Sequence, residues 1–151
     1  MCIRDSAKTE AIENGFDEAI MLTQAGNVSE GSAENIFLIQ GDTLITPAKG
    51  ENILVGITRN AVMDLARDEL GIRTIERNVA RSELYTSDEV FLCGTGAQIS
   101  PVIEIDRRKV GDGVVGPITR RLQDVYFNAV RGENPKYAHW VRPVLGSGAS
   151  H

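Results

Sequence analysis

Apolar residues recur along this chain with two spacings, and the changes between them predict the order of elements. Ala7 to Asn14 reads as the end of a helix, with Gly15 as its stop. Glu18 to Thr23 is a short apolar run of strand character, followed by turn chemistry at Ala25-Gly26-Asn27. Asn35 to Gln40 predicts a second strand, Gly41-Asp42 a tight turn, and Thr43 to Thr46 a returning third strand. These three runs are expected to form an antiparallel meander. After a loop from Pro47 to Gly56 the period changes. Ile57, Ala61, Val62, Leu65, Ala66 and Leu70 fall on the 3.6-residue spacing of an amphipathic helix over Ile57 to Leu70, closed by Gly71. Ile72 to Arg77 is again a strand, Ser82 to Thr86 a short helical turn, and Glu89 to Cys93 a strong strand ending at Gly94-Thr95-Gly96. Ile99 to Ile105 extends and Asp106 to Arg108 turns. Gly116-Pro117 then opens a last helix over roughly Ile118 to Arg131, with proline where its missing N–H costs little. A Gly/Ser-rich tail from Leu145 is expected to lack order. Strands come in runs with few helices between them, which predicts an α+β domain rather than a doubly wound sheet.

Composition narrows the function classes. A chain of 151 residues suits one domain, or one large domain of a bigger enzyme, and 42% apolar residues supply an ordinary core. No apolar run is long enough to span a bilayer, and no secretory signal is read at the start. A net charge of −5 argues against a nucleic-acid surface. The densest basic cluster, Arg107-Arg108-Lys109, reads as a solvated loop. The only cysteines, Cys2 and Cys93, form no zinc pattern and fit a reducing cytosol, hence a cytoplasmic location. Cys93 reads as a small buried hydrophobe, and His139 and His151 have no acid or serine partner in sequence.

Three segments carry candidate chemistry. In Ser29-Glu30-Gly31-Ser32-Ala33-Glu34-Asn35, two glutamates lie beside small residues at a strand-to-loop junction. A carboxylate there suits a cationic heteroaromatic nitrogen and would keep it protonated, although a solvated pair of glutamates in a turn is the default reading of these residues alone. Gly56-Ile57-Thr58-Arg59 lies at the first turn of the best-predicted helix, where unpaired amides and the dipole favour an anion and Thr58 adds a hydroxyl. The alternative is that Thr58 simply caps the helix. Gly94-Thr95-Gly96-Ala97 follows an apolar strand and could present consecutive amides to an anion, or be a plain tight turn. Together the three offer two anion sites and one carboxylate, which suits a phosphorylated ligand with a cationic ring.

In order along the chain, Ser-Glu-Gly-x-x-Glu-Asn, Gly-Ile-Thr-Arg and Gly-Thr-x-Ala strongly resemble the class IV (fold type IV) pyridoxal-phosphate enzymes. The stretch GDGVVGPITRRLQDVYFNAVRGENPKYAHWVRPV resembles specifically the C-terminus of bacterial branched-chain amino-acid aminotransferases. The likeness covers Ala7 to Val144. It implies the C-terminal, larger domain of the D-amino-acid aminotransferase-like fold, with a mixed or antiparallel sheet or pseudo-barrel and flanking helices. It implies pyridoxal 5'-phosphate as cofactor, transamination of leucine, isoleucine or valine with 2-oxoglutarate, and a homodimer or higher oligomer at full length. By the same resemblance Glu30 pairs with the ring nitrogen, while Gly56, Ile57, Thr58 and Thr95 hold the phosphate. Gly96 and Ala97 offer backbone donors to the substrate carboxylate, and Asn35 and Arg59 are structural. Many relatives carry alanine at the position of Gly96; backbone donation survives that change in a more flexible loop. D-amino-acid aminotransferase, aminodeoxychorismate lyase or a non-catalytic phosphate-binding module are the competing readings.

The lysine pattern departs from the family. The family's Schiff-base lysine lies shortly before the helix that resumes here at Ala7, and only Met1 to Ser6 precede that point. The lysines present are Lys8, Lys49, Lys109 and Lys136, and Lys8 reads as a helix-surface residue. Residues 1–6 are therefore expected to be a non-family leader, 7–144 the cofactor-binding domain and 145–151 a flexible tail. The chain is read as a fragment, inactive alone, of a longer enzyme.

Overall fold

The structure, a computed structural model, describes residues 3–142. The predicted tail from Leu145 lies outside the described residues. Helix α1 (Ile3–Glu13) begins before the expected Ala7, so Ile3 to Ser6 continue it without a break, and none of its residues is buried. The hairpin of β1 (Ile20–Leu22) and β2 (Val28–Gly31) follows.

That hairpin corrects the expected meander. The Glu18–Thr23 run does not pair with the next two predicted strands; it pairs with β2, where the residue pattern predicts only a turn and a strand-to-loop junction. Only Val28 is apolar among Val28-Ser29-Glu30-Gly31, so no alternation marks a strand, yet all four residues are buried because the hairpin lies over other structure.

The main sheet contains β3 (Asn35–Gln40), β4 (Thr43–Pro47), β5 (Arg73–Arg77), β6 (Glu89–Gly94) and β7 (Gln98–Val102), in the order β5-β4-β3-β6-β7. Neighbours are antiparallel except β4 and β5, which run parallel and therefore need a crossover. Helix α2 (Ile57–Leu70) supplies it, with the predicted bounds, and ends at Gly71 in left-handed backbone (φ 66°). The sheet is mixed and open, with β5 and β7 as edges, rather than closed into a pseudo-barrel.

Side chains alternate across the central strands to feed two cores. Phe37, Ile39, Leu44, Phe91 and Cys93 face α2 and α3 (Pro117–Val130), where they meet Val62, Leu65, Leu122 and Tyr126. Ile36, Leu38, Ile45, Val90 and Leu92 face the opposite way, against Val28, Val79 and Leu84. Phe37 and Phe91 are register partners, and their rings stack with centroids 5.1 Å apart. Helix α3 is pinned to the sheet by Glu89 of β6, whose carboxylate accepts from the amides of Ile118 (3.0 Å) and Thr119 (2.8 Å). That buried acid satisfies two of the helix's orphan donors.

A small hairpin of β8 (Glu104–Ile105) and β9 (Arg108–Lys109) turns at Asp106 and Arg107, one residue shorter than the expected Asp106–Arg108 turn because Arg108 pairs with Ile105. The basic cluster is exposed, as the solvated-loop reading expects, and its two arginines also lie over rings. Arg107 lies over the ring of Phe16 and Arg108 over that of Tyr85, each with its guanidinium carbon 5.3 Å from the centroid.

Candidate functional site

The three segments singled out in the sequence converge on one cleft of about 140 Å³, whose walls include Glu30, Asn35, Leu54, Gly56, Ile57, Thr58, Gly94 and Thr95. Each comes from a different part of the frame. Glu30 ends the β1–β2 hairpin, Thr58 opens α2, and Thr95 begins the turn after β6.

Glu30 is not one of a solvated pair. It is only 3% exposed, and its Oε2 accepts from the Leu54 amide (2.9 Å) and from Asn35 Nδ2 (3.2 Å). Its Oε1 receives no well-aligned hydrogen bond; the guanidinium of Arg4, reaching in from α1, forms an ion pair there. A buried acid thus points one oxygen into the cleft, and a planar cation meets it. Glu34, the other glutamate, lies in the cleft wall with Oε2 accepting from the Ala33 amide (3.1 Å), and burial pushes its carboxyl above the usual range.

In another part of the cleft wall, α2 begins without a side-chain cap. Its N-cap is Gly56, and no side chain accepts from the first turn. Thr58 therefore does not cap the helix, as the simpler sequence reading would have it. It lies in the first turn, 6% exposed, while the neighbouring Ile57 is 78% exposed on the rim. The leading amides of α2 are left with the character of an anion site. Arg59 plays a different part. Fully buried, it donates from Nη2 to the Pro47 carbonyl (3.1 Å) and to Glu76 Oε2 (2.7 Å), tying the helix start to β4 and β5.

Thr95 shares the cleft, whereas Gly96 and Ala97 do not line it. Ala97 borders a larger groove of about 820 Å³ between α1 and the β7–β8 segment, with Glu34 forming part of both walls. Cys93 sits beneath the cleft, and burial pushes its thiol up to about 12, which makes it inert at neutral pH. None of the four lysines lines the cleft. Lys8 is held by Glu18 (2.7 Å) and Lys136 by Glu69 (2.8 Å).

Sequence reasoning missed two members of the site. Arg4 gives no signal, because it stands in a stretch that reads as foreign to the domain. Leu54 gives none because its backbone, not its side chain, is what Glu30 and Asn35 grip.

The family described as amino-transferase class IV matches residues 3–105. A probable branched-chain-amino-acid aminotransferase of Aquifex aeolicus is 58% identical over 138 residues, which are 91% of this chain and 44% of that protein. The branched-chain-amino-acid aminotransferase of Pseudomonas aeruginosa is 44% identical over 134 residues, 89% of this chain and 43% of that one. Among solved structures, the branched-chain amino acid aminotransferase of Thermobaculum terrenum in its PLP form superposes with a TM-score of 0.91 at 44% identity, covering 94% of this chain and 46% of that one. The chain belongs to the class IV aminotransferases. It spans less than half the length of these relatives.

Proposed function

We propose that this chain is the cofactor-binding part of a branched-chain amino-acid aminotransferase that uses pyridoxal 5'-phosphate. The observation that carries the reading is the buried Glu30 carboxylate, which already pairs with a planar cation in a cleft that an uncapped helix start also lines. The residues present suit the cofactor at both ends. Glu30 would hold a proton on the ring nitrogen, because a nearby anion favours the charged form of a base. The α2 amides, the Thr58 hydroxyl and Thr95 would hold the phosphate, with Gly56 allowing close approach. When bound, the cofactor supplies the electron sink that lets the substrate α-proton leave.

The remaining roles belong to the same reading. Gly96 and Ala97 would meet the substrate carboxylate through their amides. Branched-chain L-amino acids and 2-oxoglutarate would be the substrates, and the whole enzyme a cytoplasmic homodimer or higher oligomer. No helix among the described residues is long and apolar enough to cross a membrane. The lysines of this chain stand outside the cleft, so it would bind the cofactor without covalent attachment and without turnover.

Titration of the purified chain with pyridoxal phosphate, followed by absorbance and fluorescence quenching, tests the binding half. Saturable binding is expected, weakened about tenfold or more in Glu30→Gln, the loss of a charged partner being worth about 1.5–3 kcal/mol. Equal binding by wild type and Glu30→Gln would overturn it. Fusing the chain to the N-terminal half of the Aquifex aeolicus relative and comparing L-leucine, L-valine and D-alanine as amino donors tests the substrate class. Preference for D-alanine would reject the branched-chain assignment.

A further inference from the structure

The acid and the helix start that line the cleft are joined by a single side chain. Asn35, at the start of β3 and 6% exposed, donates through Nδ2 to Glu30 Oε2 (3.2 Å) and to the Leu54 carbonyl (2.7 Å). The Leu54 amide returns to the same Glu30 oxygen (2.9 Å), which closes a ring of three hydrogen bonds. Only two residues beyond Leu54 stands Gly56, the N-cap of α2. A Cβ on Gly56 would collide with Asn35 Oδ1, so the same amide packs against the helix start with its oxygen face. Asn35 is thus the element common to the acid and the helix start.

We propose that Asn35 is a positioning residue that sets the spacing between the Glu30 carboxylate and the first amides of α2, and that this contact is one reason residue 56 is glycine. The inference rests on the cofactor reading above. A ligand that bridges the two feels that spacing, whereas one that uses a single group does not. Loss of Asn35 leaves the Leu54 carbonyl without its donor and frees the loop to shift, so bridging is lost before either group is. Substitution at Gly56 pushes on the same amide, and the two changes therefore act on one coordinate rather than two.

The test is a double-mutant cycle on the purified chain with Asn35→Ser and Gly56→Ala, using pyridoxal phosphate as the bridging probe and inorganic phosphate as the one-ended probe. Circular dichroism checks that each variant folds. Asn35→Ser is expected to lose about tenfold or more in affinity for pyridoxal phosphate, in proportion to one buried hydrogen-bond partner. Its affinity for inorganic phosphate, from ³¹P NMR titration, is expected to stay within about twofold, because no bond to the helix amides is removed. Gly56→Ala is expected to lose affinity as well. The double variant should bind pyridoxal phosphate no worse than the weaker single variant, because serine removes the atom that the new Cβ meets. Losses that multiply, or equal losses for both probes in Asn35→Ser, overturn the inference. If the wild-type chain binds no pyridoxal phosphate at all, the cofactor reading fails, and the contact is then read from thermal midpoints. Partial rescue of the Gly56→Ala midpoint by Asn35→Ser upholds the contact, and additive drops reject it.

Discussion

The sheet with its two helices and the N-terminal helix are held by different forces. Around β3 and β6, aromatic and branched side chains are closed in from both faces: Phe37, Phe91, Leu65 and Leu122 have no accessible surface. Helix α1 buries nothing and leaves Ile3 and Ile12 exposed. Its ion pairs run from Arg4 to Glu30 and from Lys8 to Glu18. Apolar burial is insensitive to direction, while a part-exposed pair such as Lys8–Glu18 contributes little to stability and depends on ionic strength; of the two, only the Arg4–Glu30 pair has a fully buried member. The fold should therefore survive changes in α1 that the central strands would not tolerate. The one place where α1 matters is the cleft, because Arg4 ends there.

Breaking the core should have the largest effect. Phe91→Ala removes a ring stacked on Phe37 in the centre of the sheet and is expected to cost about 3–5 kcal/mol in chemical denaturation. A loss below about 1 kcal/mol would mean that the two faces are packed far less tightly than the burial implies.

Next comes the polar link between sheet and helix. Glu89→Ala leaves the Ile118 and Thr119 amides without an acceptor beneath α3, and about 1–3 kcal/mol of stability should be lost. Hydrogen exchange should place the weakening at the start of α3; uniform weakening along the chain would show that Glu89 does not act there.

Arg4→Ala should sharpen the contrast from the other side. Stability is expected to fall by about 1–3 kcal/mol, because the buried Glu30 Oε1 loses its ion-pair partner while α1 itself buries no residue. Pyridoxal phosphate should bind roughly threefold to tenfold more tightly, because a cation competing for Glu30 Oε1 is gone. Weaker binding in this variant would assign Arg4 to the ligand rather than to its competitor.

The smallest effect concerns acid. Hydrogen bonds from Arg77, at 2.5 and 3.0 Å, hold the Glu83 carboxyl below its ordinary value of 4.5. The folded state then binds fewer protons at this site than the unfolded one. Its contribution is fully present above pH 4.5 and is lost as the pH falls through the depressed value. Glu83→Gln should flatten the acid limb of thermal midpoint against pH while lowering the plateau slightly. An unchanged acid limb would show that the pair does not couple to folding.

Much of this is legible in the chain itself. Helix α2 has the predicted bounds because its apolar spacing and its terminal Gly71 agree. Helix α3 and strands β3 to β6 lie within a residue or so of expectation for the same reason. Glu30, Gly56, Ile57, Thr58 and Thr95 belong to segments that are ambiguous one by one and are singled out by their motifs together, and they do share one cleft. Strand β2 escapes because a polar, glycine-containing segment buried under a hairpin has no period to read. The parallel pairing of β4 with β5 leaves no mark either, since the direction of a neighbouring strand depends on where a crossover helix packs.

Local elements and the residue types lining the cleft follow from the chain alone, because helix period, strand alternation, glycine stops and motif spacing act over a few neighbours. That Arg4 meets Glu30, that Asn35 grips Leu54 and that Glu89 caps α3 follows from the folded arrangement. The last two contacts join residues 19 and 30 positions apart, through short polar bonds that leave no periodic mark. Their partners are chosen by which backbone groups remain unpaired once the sheet and helices have closed.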